Sequence, residues 1–433
     1  MRTLITALAL LAPLAAHAET VHLDMRLGTP AVQAGKKQTA YLKVGLTGAA
    51  DRKPTRVPVN VALVIDKSGS MSGEKIMRAK DAALMAVDRL GPDDIVSVVA
   101  YDTRVSVLVP ATKAADKQSI REGIARLSPG GNTALFAGVS KGADELRKFF
   151  DRNRVNRLIL LSDGLANVGP SSPGELAGLG AALGREGMTV TTLGLGLDYN
   201  EDLMQGLARA TDGNHVFVER PGDLVRFFDL EFGEVLSVVA QDADVRIRCE
   251  AGVRPVRVLG READIVGNEI TAQLAQVLAR QEKFVLVELE LPAGEAGDER
   301  PVCQATVSYR DLESRETEQR EAAVKVRYVA TATEAQAAVD RGVMVHAVEL
   351  VSNEQNRLAV KLRDQGNPEA ARRILNDNAA WLNYNSTYYQ APKLKKLEEQ
   401  NLDDAKNLDE SNWKHRRKVM RRVQHQYDLQ QSY

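Results

Sequence analysis

The chain has 433 residues, of which 44% are hydrophobic and 27% are charged, and its formal net charge is −1. This length exceeds what one hydrophobic core normally holds and predicts two or three domains. The composition excludes a largely disordered chain and a bundle of membrane spans. The near-zero charge excludes a global basic surface, so we expect no nucleic-acid partner.

The first 18 residues have the pattern of a secretory signal peptide. Arg2 precedes the apolar run "LITALALLAPLAA", which is too short to span a bilayer comfortably. The small residues of "AHA" then predict cleavage after Ala18, and we expect a periplasmic, secreted or cell-surface protein. An uncleaved membrane anchor is the alternative for this segment. No later run of 18 apolar residues occurs, so we expect no transmembrane segment in the mature chain.

Residues 19–55 contain two alternating apolar patterns, "VHLDMRL" and "TAYLKVGL", which are typical of strands. Two strands are too few to fold alone. We therefore expect residues 19–55 to join a sheet formed later in the chain.

Residues 56–230 alternate between buried strands and amphipathic helices. "VNVALVID" and "NRLILLSD" are two of the strands, and "IVSVVAY" with "RVSVLV" forms a hairpin. Repeated βα units predict a doubly wound, mostly parallel sheet with helices on both faces. The hairpin supplies one antiparallel edge.

Residues 235–330 change to short strands separated by Gly, Pro and Asp, a pattern typical of a β-sandwich. The predicted fold class is therefore an α/β domain inserted in a β-sandwich. Residues 332–433 complete it as a helical hairpin, with Asn367 as a helix cap and Pro368 at the first helical position, and a charged helical tail. We expect the basic run of the tail to form a solvated helix paired with the acidic run; contact with a membrane surface or nucleic acid is the alternative.

The only two cysteines are Cys249 and Cys303, which lie in the strand-rich region. In an exported protein this favours one disulfide. The alternative is two buried thiols that never meet. Because no histidine lies near them in the sequence, a zinc site is not expected.

The stretch "VALVIDKSGSM" ends a buried strand with a carboxylate, Asp66, followed by the hydroxyls of Ser68 and Ser70. In an open α/β sheet, ligands bind beyond the carboxyl ends of the strands. Thr133, at the start of a helix, and Asp163, at the end of another buried strand, belong to the same edge. The sequence therefore predicts two carboxylates and three hydroxyls at one point.

Carboxylate and hydroxyl oxygens are hard ligands, suited to Mg²⁺, Mn²⁺ or Ca²⁺ rather than zinc or copper. Two acids against one dication leave the site near neutral. Because the hydroxyl ligands are neutral, the ion stays electrophilic and should take one further anionic oxygen, such as a carboxylate of a partner protein. The alternative is a set of helix caps and turn formers. Asp102 also ends a strand near this edge and is a candidate for a residue that supports the site; the alternative is a hairpin-turn residue.

"DKSGS", the threonine of "GGNT" and the aspartate of "SDG" together resemble the metal-ion-dependent adhesion site of von Willebrand factor type A domains, over residues 58–225. The resemblance implies that Asp66, Ser68 and Ser70 bind the metal, the two serines directly. It implies that Thr133 is a direct ligand in the ligand-bound state and that Asp163 acts directly or through water. The expected ion is Mg²⁺, with Mn²⁺ or Ca²⁺ as alternatives.

The flanking strands resemble those of exported bacterial members and of inter-alpha-trypsin inhibitor heavy chains. The resemblance implies a non-enzymatic adhesion or scaffold module that binds a Glu or Asp of a protein partner through the ion. Two alternatives stay open: a subunit of an ATP-driven chelatase or chaperone complex, and a metal-stabilised structural envelope protein. The pattern "GVSKG" does not predict a hydrolase, because Ser140 lies within a helical stretch instead of a strand-to-helix turn.

Overall fold

The computed structural model describes residues 19–49 and 56–430. The predicted signal peptide, with its cleavage site after Ala18, lies outside the described residues. Within them, no helix combines the length and the apolar character needed to cross a bilayer.

The amino-terminal segment forms three strands. They are β1 (Val21–Leu27), β2 (Ala31–Gln33) and β3 (Gln38–Gly48). β1 and β3 pair antiparallel, with Val21 opposite Gly48. β1 and β3 do not form a sheet by themselves. β3 also pairs, along its other edge, with a strand more than 230 residues later in the chain, which supplies the additional strand that a stable sheet requires.

The next segment is a six-stranded sheet flanked by six helices. Its strands are β4 (Val59–Asp66), β5 (Ile95–Tyr101), β6 (Val105–Lys113), β7 (Val155–Ser162), β8 (Thr189–Leu195) and β9 (His215–Val218). Its helices are α1 (Glu74–Arg89), α2 (Lys117–Ala125), α3 (Leu135–Arg147), α4 (Pro173–Arg185), α5 (Glu201–Arg209) and α6 (Leu224–Val235). The strand order is β6-β5-β4-β7-β8-β9, and only β6 runs antiparallel to its neighbour.

Every residue of β4 and of β7 is buried, because helices cover both faces of the sheet. Alternate residues of β4 enter different cores. Val61 and Leu63 pack in the cluster that contains residues of α1 and α6. Ala62 and Val64 pack in the cluster that contains residues of α3, α4 and α5. The result is a three-layer α/β domain whose central strands have no exposed face.

The chain then returns to antiparallel structure. The strands are β10 (Val238–Cys249), β11 (Arg254–Leu259), β12 (Asp264–Val266), β13 (Glu269–Leu278), β14 (Glu282–Leu291), β15 (Glu299–Asp311) and β16 (Thr317–Val329). One sheet has the order β1-β3-β14-β11 and the other β12-β13-β10-β15-β16-β2. Side chains from both, including Val44 and Val245, share one core. The predicted fold class, an α/β domain inserted in a β-sandwich and followed by helices, is confirmed.

Five helices end the described chain. They are α7 (Ala332–Ala337), α8 (Arg341–Asp364), α9 (Pro368–Tyr389), α10 (Pro392–Lys406) and α11 (Glu410–Leu429). Asn367 caps α9 by accepting a hydrogen bond from the Ala370 amide at 3.1 Å, and Pro368 occupies the first helical position. The α8–α9 pair is the helical hairpin that the sequence indicates.

The basic helix α11 packs against α8 and against β9 and α5 of the α/β domain, and it contacts the acidic helix α10 less. Arg416 bonds Asp404 of α10 at 3.0 Å. Lys418, however, is buried and donates to the Tyr199 carbonyl at 2.6 Å and to Glu201. The interpretation of this run as a solvated helix paired with the acidic one is therefore incomplete, because α11 is partly buried against the amino end of α5.

Cys249 and Cys303 lie directly opposite each other on β10 and β15. The Glu250 amide bonds the Val302 carbonyl at 2.9 Å, which makes the two cysteines a non-hydrogen-bonded pair, the closer of the two kinds of antiparallel pair. Both are buried free thiols with sulfur atoms 2.7 Å apart. The alternative in which they never meet is wrong, and the disulfide itself stays a prediction.

We expect protein expressed in an oxidising compartment to contain the Cys249–Cys303 disulfide, because the thiols already face each other. Thiol titration of the denatured, unreduced protein would then find no free thiol. The chain-entropy model assigns about 4 kcal/mol to a bond that closes a loop of this size, so reduction should lower the melting temperature. The Cys249→Ser/Cys303→Ser double variant, which should not respond to reductant, is the control. Two free thiols in the oxidised preparation would contradict the prediction.

Candidate metal centre

The predicted site lies at the carboxyl ends of two neighbouring parallel strands. Asp66 is the last residue of β4, and Asp163 follows the last residue of β7. β4 and β7 pair in register, with Ile65 opposite Leu161. Both aspartates have no exposed surface. The central pair of strands therefore places two fully buried carboxyl groups side by side at one edge.

The β4–α1 loop brings its two hydroxyls together. Asp66 accepts a hydrogen bond from the Ser68 amide at 2.8 Å, which turns the chain immediately after the strand. A short 3-10 helix follows, anchored by the buried Met71. The hydroxyls of Ser68 and Ser70 then lie 3.0 Å apart. The loop thus places every second side chain, at 66, 68 and 70, on the same side.

Both carboxylate oxygens of Asp163 have partners. The Ser70 hydroxyl donates to Oδ1 at 2.6 Å. The Lys75 ammonium donates to Oδ2 at 2.5 Å. The loop after β4 and the loop after β7 are therefore joined through this one carboxylate.

Thr133 completes the group from a third loop. The loop before α3 is tied to the β4–α1 loop, because the Gly69 amide bonds the Gly131 carbonyl at 3.0 Å and the Gly130 amide bonds the Lys67 carbonyl at 2.7 Å. A Cβ placed on Gly164 would lie 3.4 Å from both the Ser70 and the Thr133 hydroxyl oxygens. The structure therefore brings all five predicted residues to one point.

Asp102 faces a different set of partners. Its carboxylate accepts from the Lys67 ammonium and, at 2.8 Å, from the Arg104 amide. The second contact spans two residues and is typical of a turn. Its burial raises the pKa of Asp102, but these hydrogen bonds outweigh burial and hold the pKa below its ordinary value. This geometry favours the hairpin-turn interpretation of Asp102.

Three residues of the site escape sequence reasoning. The Ser162 hydroxyl donates to Asp66 Oδ2 at 2.7 Å. Lys75 bonds Asp163, as described above. Asn167 accepts from the Thr133 amide at 2.8 Å and holds the third loop. Ser162 could have been found from the sequence, because it is a polar residue at the end of an apolar strand. Lys75 and Asn167 are ordinary helix and loop residues, and nothing in the sequence distinguishes them.

The two carboxyl groups are compensated in different ways. Burial raises the pKa of Asp66, the charge of Asp163 acts in the same direction, and hydrogen bonds from Ser68 and Ser162 oppose both. Asp66 is therefore a buried acid with neutral donors only. Asp163 has a cationic partner, Lys75, whose side chain is 28% exposed.

The donor set fits a hard divalent cation. It contains two carboxylates and three hydroxyls, the oxygen ligands that Mg²⁺, Mn²⁺ and Ca²⁺ take. One of the two carboxylates, Asp163, already has a cationic partner in Lys75. Among the described residues, no group of three or more His, Cys, Asp or Glu side chains is arranged to hold a metal, and this set itself has only two carboxylates. The hydroxyl-rich set is thus the candidate metal centre.

Comparison with known families agrees with this geometry. The family model for the von Willebrand factor type A domain matches residues 60–228, the segment that carries all five residues. The match covers less than half of the chain and coincides with the α/β domain. Domains of this family mediate protein–protein interactions and commonly hold a divalent cation.

Relatives differ in how much of the chain they share. An uncharacterised protein of Synechocystis is 28% identical over 308 residues, which are 69% of this chain and 72% of the relative. Uncharacterised protein YfbK of Escherichia coli is 29% identical over 52% of this chain and 40% of its own length. Human inter-alpha-trypsin inhibitor heavy chain H3 is 31% identical over 38% of this chain, which covers only 19% of that protein.

Solved structures extend the likeness to the whole fold. A von Willebrand factor type A protein from Catenulispora acidiphila has a TM-score of 0.71 at 16% identity, covering 92% of each chain. The ArnB paralog VWA2 from Sulfolobus acidocaldarius has a TM-score of 0.63 at 18% identity, covering 94% of this chain and 98% of that one. At these identities the likeness concerns the fold alone.

We expect Asp66→Asn to raise the melting temperature of the metal-free protein. An acid whose pKa is raised on folding contributes stability below its unfolded pKa and loses it as pH rises through its folded pKa. Once ionised, the buried Asp66 is therefore destabilising, and the asparagine amide removes that charge. The Ser162 hydroxyl, which donates to Asp66, can instead accept a hydrogen bond from the amide NH₂ group.

Asp102→Asn is the matched control, because we expect it to change the melting temperature in the opposite direction. The pKa of Asp102 is lowered on folding, so its charge is stabilising at pH 7 and its removal should lower the melting temperature. Thermal unfolding in chelator at pH 7 measures both variants. A lower melting temperature for Asp66→Asn would show that the charge of Asp66 is well compensated without metal.

Proposed function

We propose that this protein is a non-enzymatic binding module that holds one divalent cation at the edge of the α/β sheet and, through it, a carboxylate of a protein partner. The convergence of two buried carboxyl groups and three hydroxyls carries this proposal. The five side chains come from the end of β4 and from three loops that backbone hydrogen bonds tie together. The backbone of the site therefore needs little rearrangement to receive an ion.

The chain supplies its ligands in two chemical classes. Ser68, Ser70 and Thr133 would hold the ion through neutral hydroxyls. Asp66 and Asp163 would supply the negative charge, directly or through water. Neutral ligands leave a dication short of negative charge, and when bound the ion supplies a Lewis-acidic position for an acidic side chain. This explains why a Glu or Asp of a partner is the proposed target.

Mg²⁺ is the proposed ion. Mg²⁺ is usually bound by one or two carboxylates and keeps several other oxygen ligands, whereas Ca²⁺ takes six to eight oxygens and often bidentate carboxylates. Asp163 has one oxygen committed to Ser70, and both oxygens of Asp66 accept hydrogen bonds. Monodentate contact is therefore the geometry that these hydrogen bonds favour. Mn²⁺ is the natural substitute in experiments.

Export and the absence of enzymatic activity belong to the same proposal. The pattern of residues 1–18 supports export to the periplasm or cell surface. The one hydrolase-like motif places Ser140 in the middle of α3, where a nucleophile would lack the strand-to-helix turn it requires. An extracytoplasmic location also disfavours a role beside an ATP-driven chelatase.

We expect the mature protein to bind one Mg²⁺ in calorimetric titration and the Ser70→Ala variant to bind it at least tenfold more weakly. Removing the hydroxyl takes away a neutral ligand without leaving an unpaired charge in the site. Asp102→Ala is the control, because that carboxylate faces Lys67 and Arg104, and its affinity should stay within about twofold of native. Equal affinity in native protein and Ser70→Ala would remove this hydroxyl from the site.

We expect peptides captured from a random library in Mg²⁺ and released by chelator to share one Asp or Glu. The reason is that the ion would take its last oxygen from an acidic side chain. A parallel selection on Ser70→Ala is the control and should yield no chelator-released peptides. A purely structural ion predicts a different outcome, in which chelator lowers the melting temperature but releases no acidic peptide.

A further inference from the structure

Lys75 stands out because it is a cation in the first turn of a helix. α1 begins at Glu74, and Lys75 is its second residue. The amino end of a helix carries partial positive charge, so a lysine there is electrostatically unfavourable. The contact with Asp163 at 2.5 Å explains its position. Its ammonium is directed at a proposed metal ligand.

This ammonium compensates a charge that would otherwise be costly. Asp163 has no exposed surface, and an ionised carboxylate buried without a cation or enough donors is strongly destabilising. The Ser70 hydroxyl satisfies one oxygen and Lys75 the other. In the metal-free protein, Lys75 therefore serves as the counter-ion of Asp163.

A dication at the five-residue site would compete for the same carboxylate. The like charges of the ion and the ammonium repel each other, and repulsion in a poorly solvated site is weakly screened. We propose that Lys75 is an internal counter-cation that must leave Asp163 when the metal binds, and that it thereby sets the metal affinity. This inference rests on the proposed function, since it concerns the same ion.

Lys75 has an alternative position near a second carboxylate, that of Asp198. Its side chain is already 28% exposed, and lysine is long and flexible. Asp198, on the loop after β8, is within electrostatic reach, because the charge of Lys75 helps to lower the pKa of Asp198 after the larger effect of its bond to Lys414. The side chain of Asp198 is 72% exposed. Moving the ammonium toward this carboxylate would keep it both hydrated and near a negative charge.

The first test is calorimetric titration of Mg²⁺ into the full mature protein and two variants. Lys75→Met keeps the length of the side chain and removes its charge, and we expect it to bind Mg²⁺ at least tenfold more tightly than native. Lys80→Met is the matched control on the same helix. Lys80 donates to the Ala125 carbonyl at 3.0 Å, outside the site, so its loss should change the affinity by no more than about twofold.

The second test uses the native protein and does not depend on the folding of a variant. Acetylation of lysine amines, followed by mass spectrometry, reports how freely each amine reacts. Mg²⁺ should increase the reactivity of Lys75, because the ion would expel its amine from the contact with Asp163. Lys80 should react equally with Mg²⁺ and with chelator, and it serves as the internal reference.

The outcomes separate this inference from the function beneath it. Equal Mg²⁺ affinity in native protein and Lys75→Met, or Lys75 reactivity that does not rise with Mg²⁺, would overturn the role of Lys75 while leaving the metal site intact. Failure of native protein and both variants to bind Mg²⁺ or Mn²⁺ would overturn both proposals. Binding by Lys75→Met alone would support the role of Lys75 in its strongest form.

Discussion

The burial of two carboxyl groups on adjacent strands is the constraint around which this edge of the protein is built. Asp66 and Asp163 have no exposed surface, and each needs partners because buried charge is costly. The partners come from the surrounding loops: the amide of Ser68, the hydroxyls of Ser162 and Ser70, and the Lys75 ammonium. The turn after β4 places the Ser68 amide on Asp66, and the first turn of α1 places Lys75 on Asp163. The same arrangement that satisfies the acids thus assembles the donor set for an ion.

A second buried polar network holds this domain against the β-sandwich. Arg157, on the strand β7 that leads to Asp163, bonds Thr191 at 2.7 Å and also Gln276 of β13. Thr191 in turn donates to Glu231 of α6 at 2.8 Å, and burial raises the pKa of Glu231 to about 7. A buried network of this kind specifies one arrangement, because breaking it leaves charged groups without partners. The Arg157–Gln276 contact therefore ties the strand that leads to Asp163 to the β-sandwich.

The sequence predicted the parts of this structure that depend on local pattern and on sheet topology. Buried strands ending in Asp66 and Asp163 were visible as apolar runs, and the rule for parallel sheets placed their carboxyl ends together. Lys75 was not predictable as a partner of Asp163, because a helix pattern shows the charge of a residue but not the loop that it faces. Helix α6 was missed, because its aromatic and acidic residues follow β9 without a clear cap, and its burial against α1 is a tertiary effect. The packing of α11 against α5 was likewise not predictable. The basic run of α11 is evident in the sequence, but its contact with Glu201 at the amino end of α5 joins residues 217 positions apart.

The way each acid is satisfied bears on whether the ion is structural or functional. A structural ion is normally required because its ligands would otherwise be unpaired buried charges. Here the charge of Asp163 has an ammonium partner, and both oxygens of Asp66 accept hydrogen bonds from neutral groups, so only the charge of Asp66 lacks a cationic partner without the metal. The exposure of the site also favours a functional ion. Ser70 and Asn132, on two of the loops around the site, are exposed to solvent, whereas α11 packs against α5. A site whose polar atoms are largely paired before any ion binds, and which is open on one side, fits the reversible binding that we propose better than a purely structural ion.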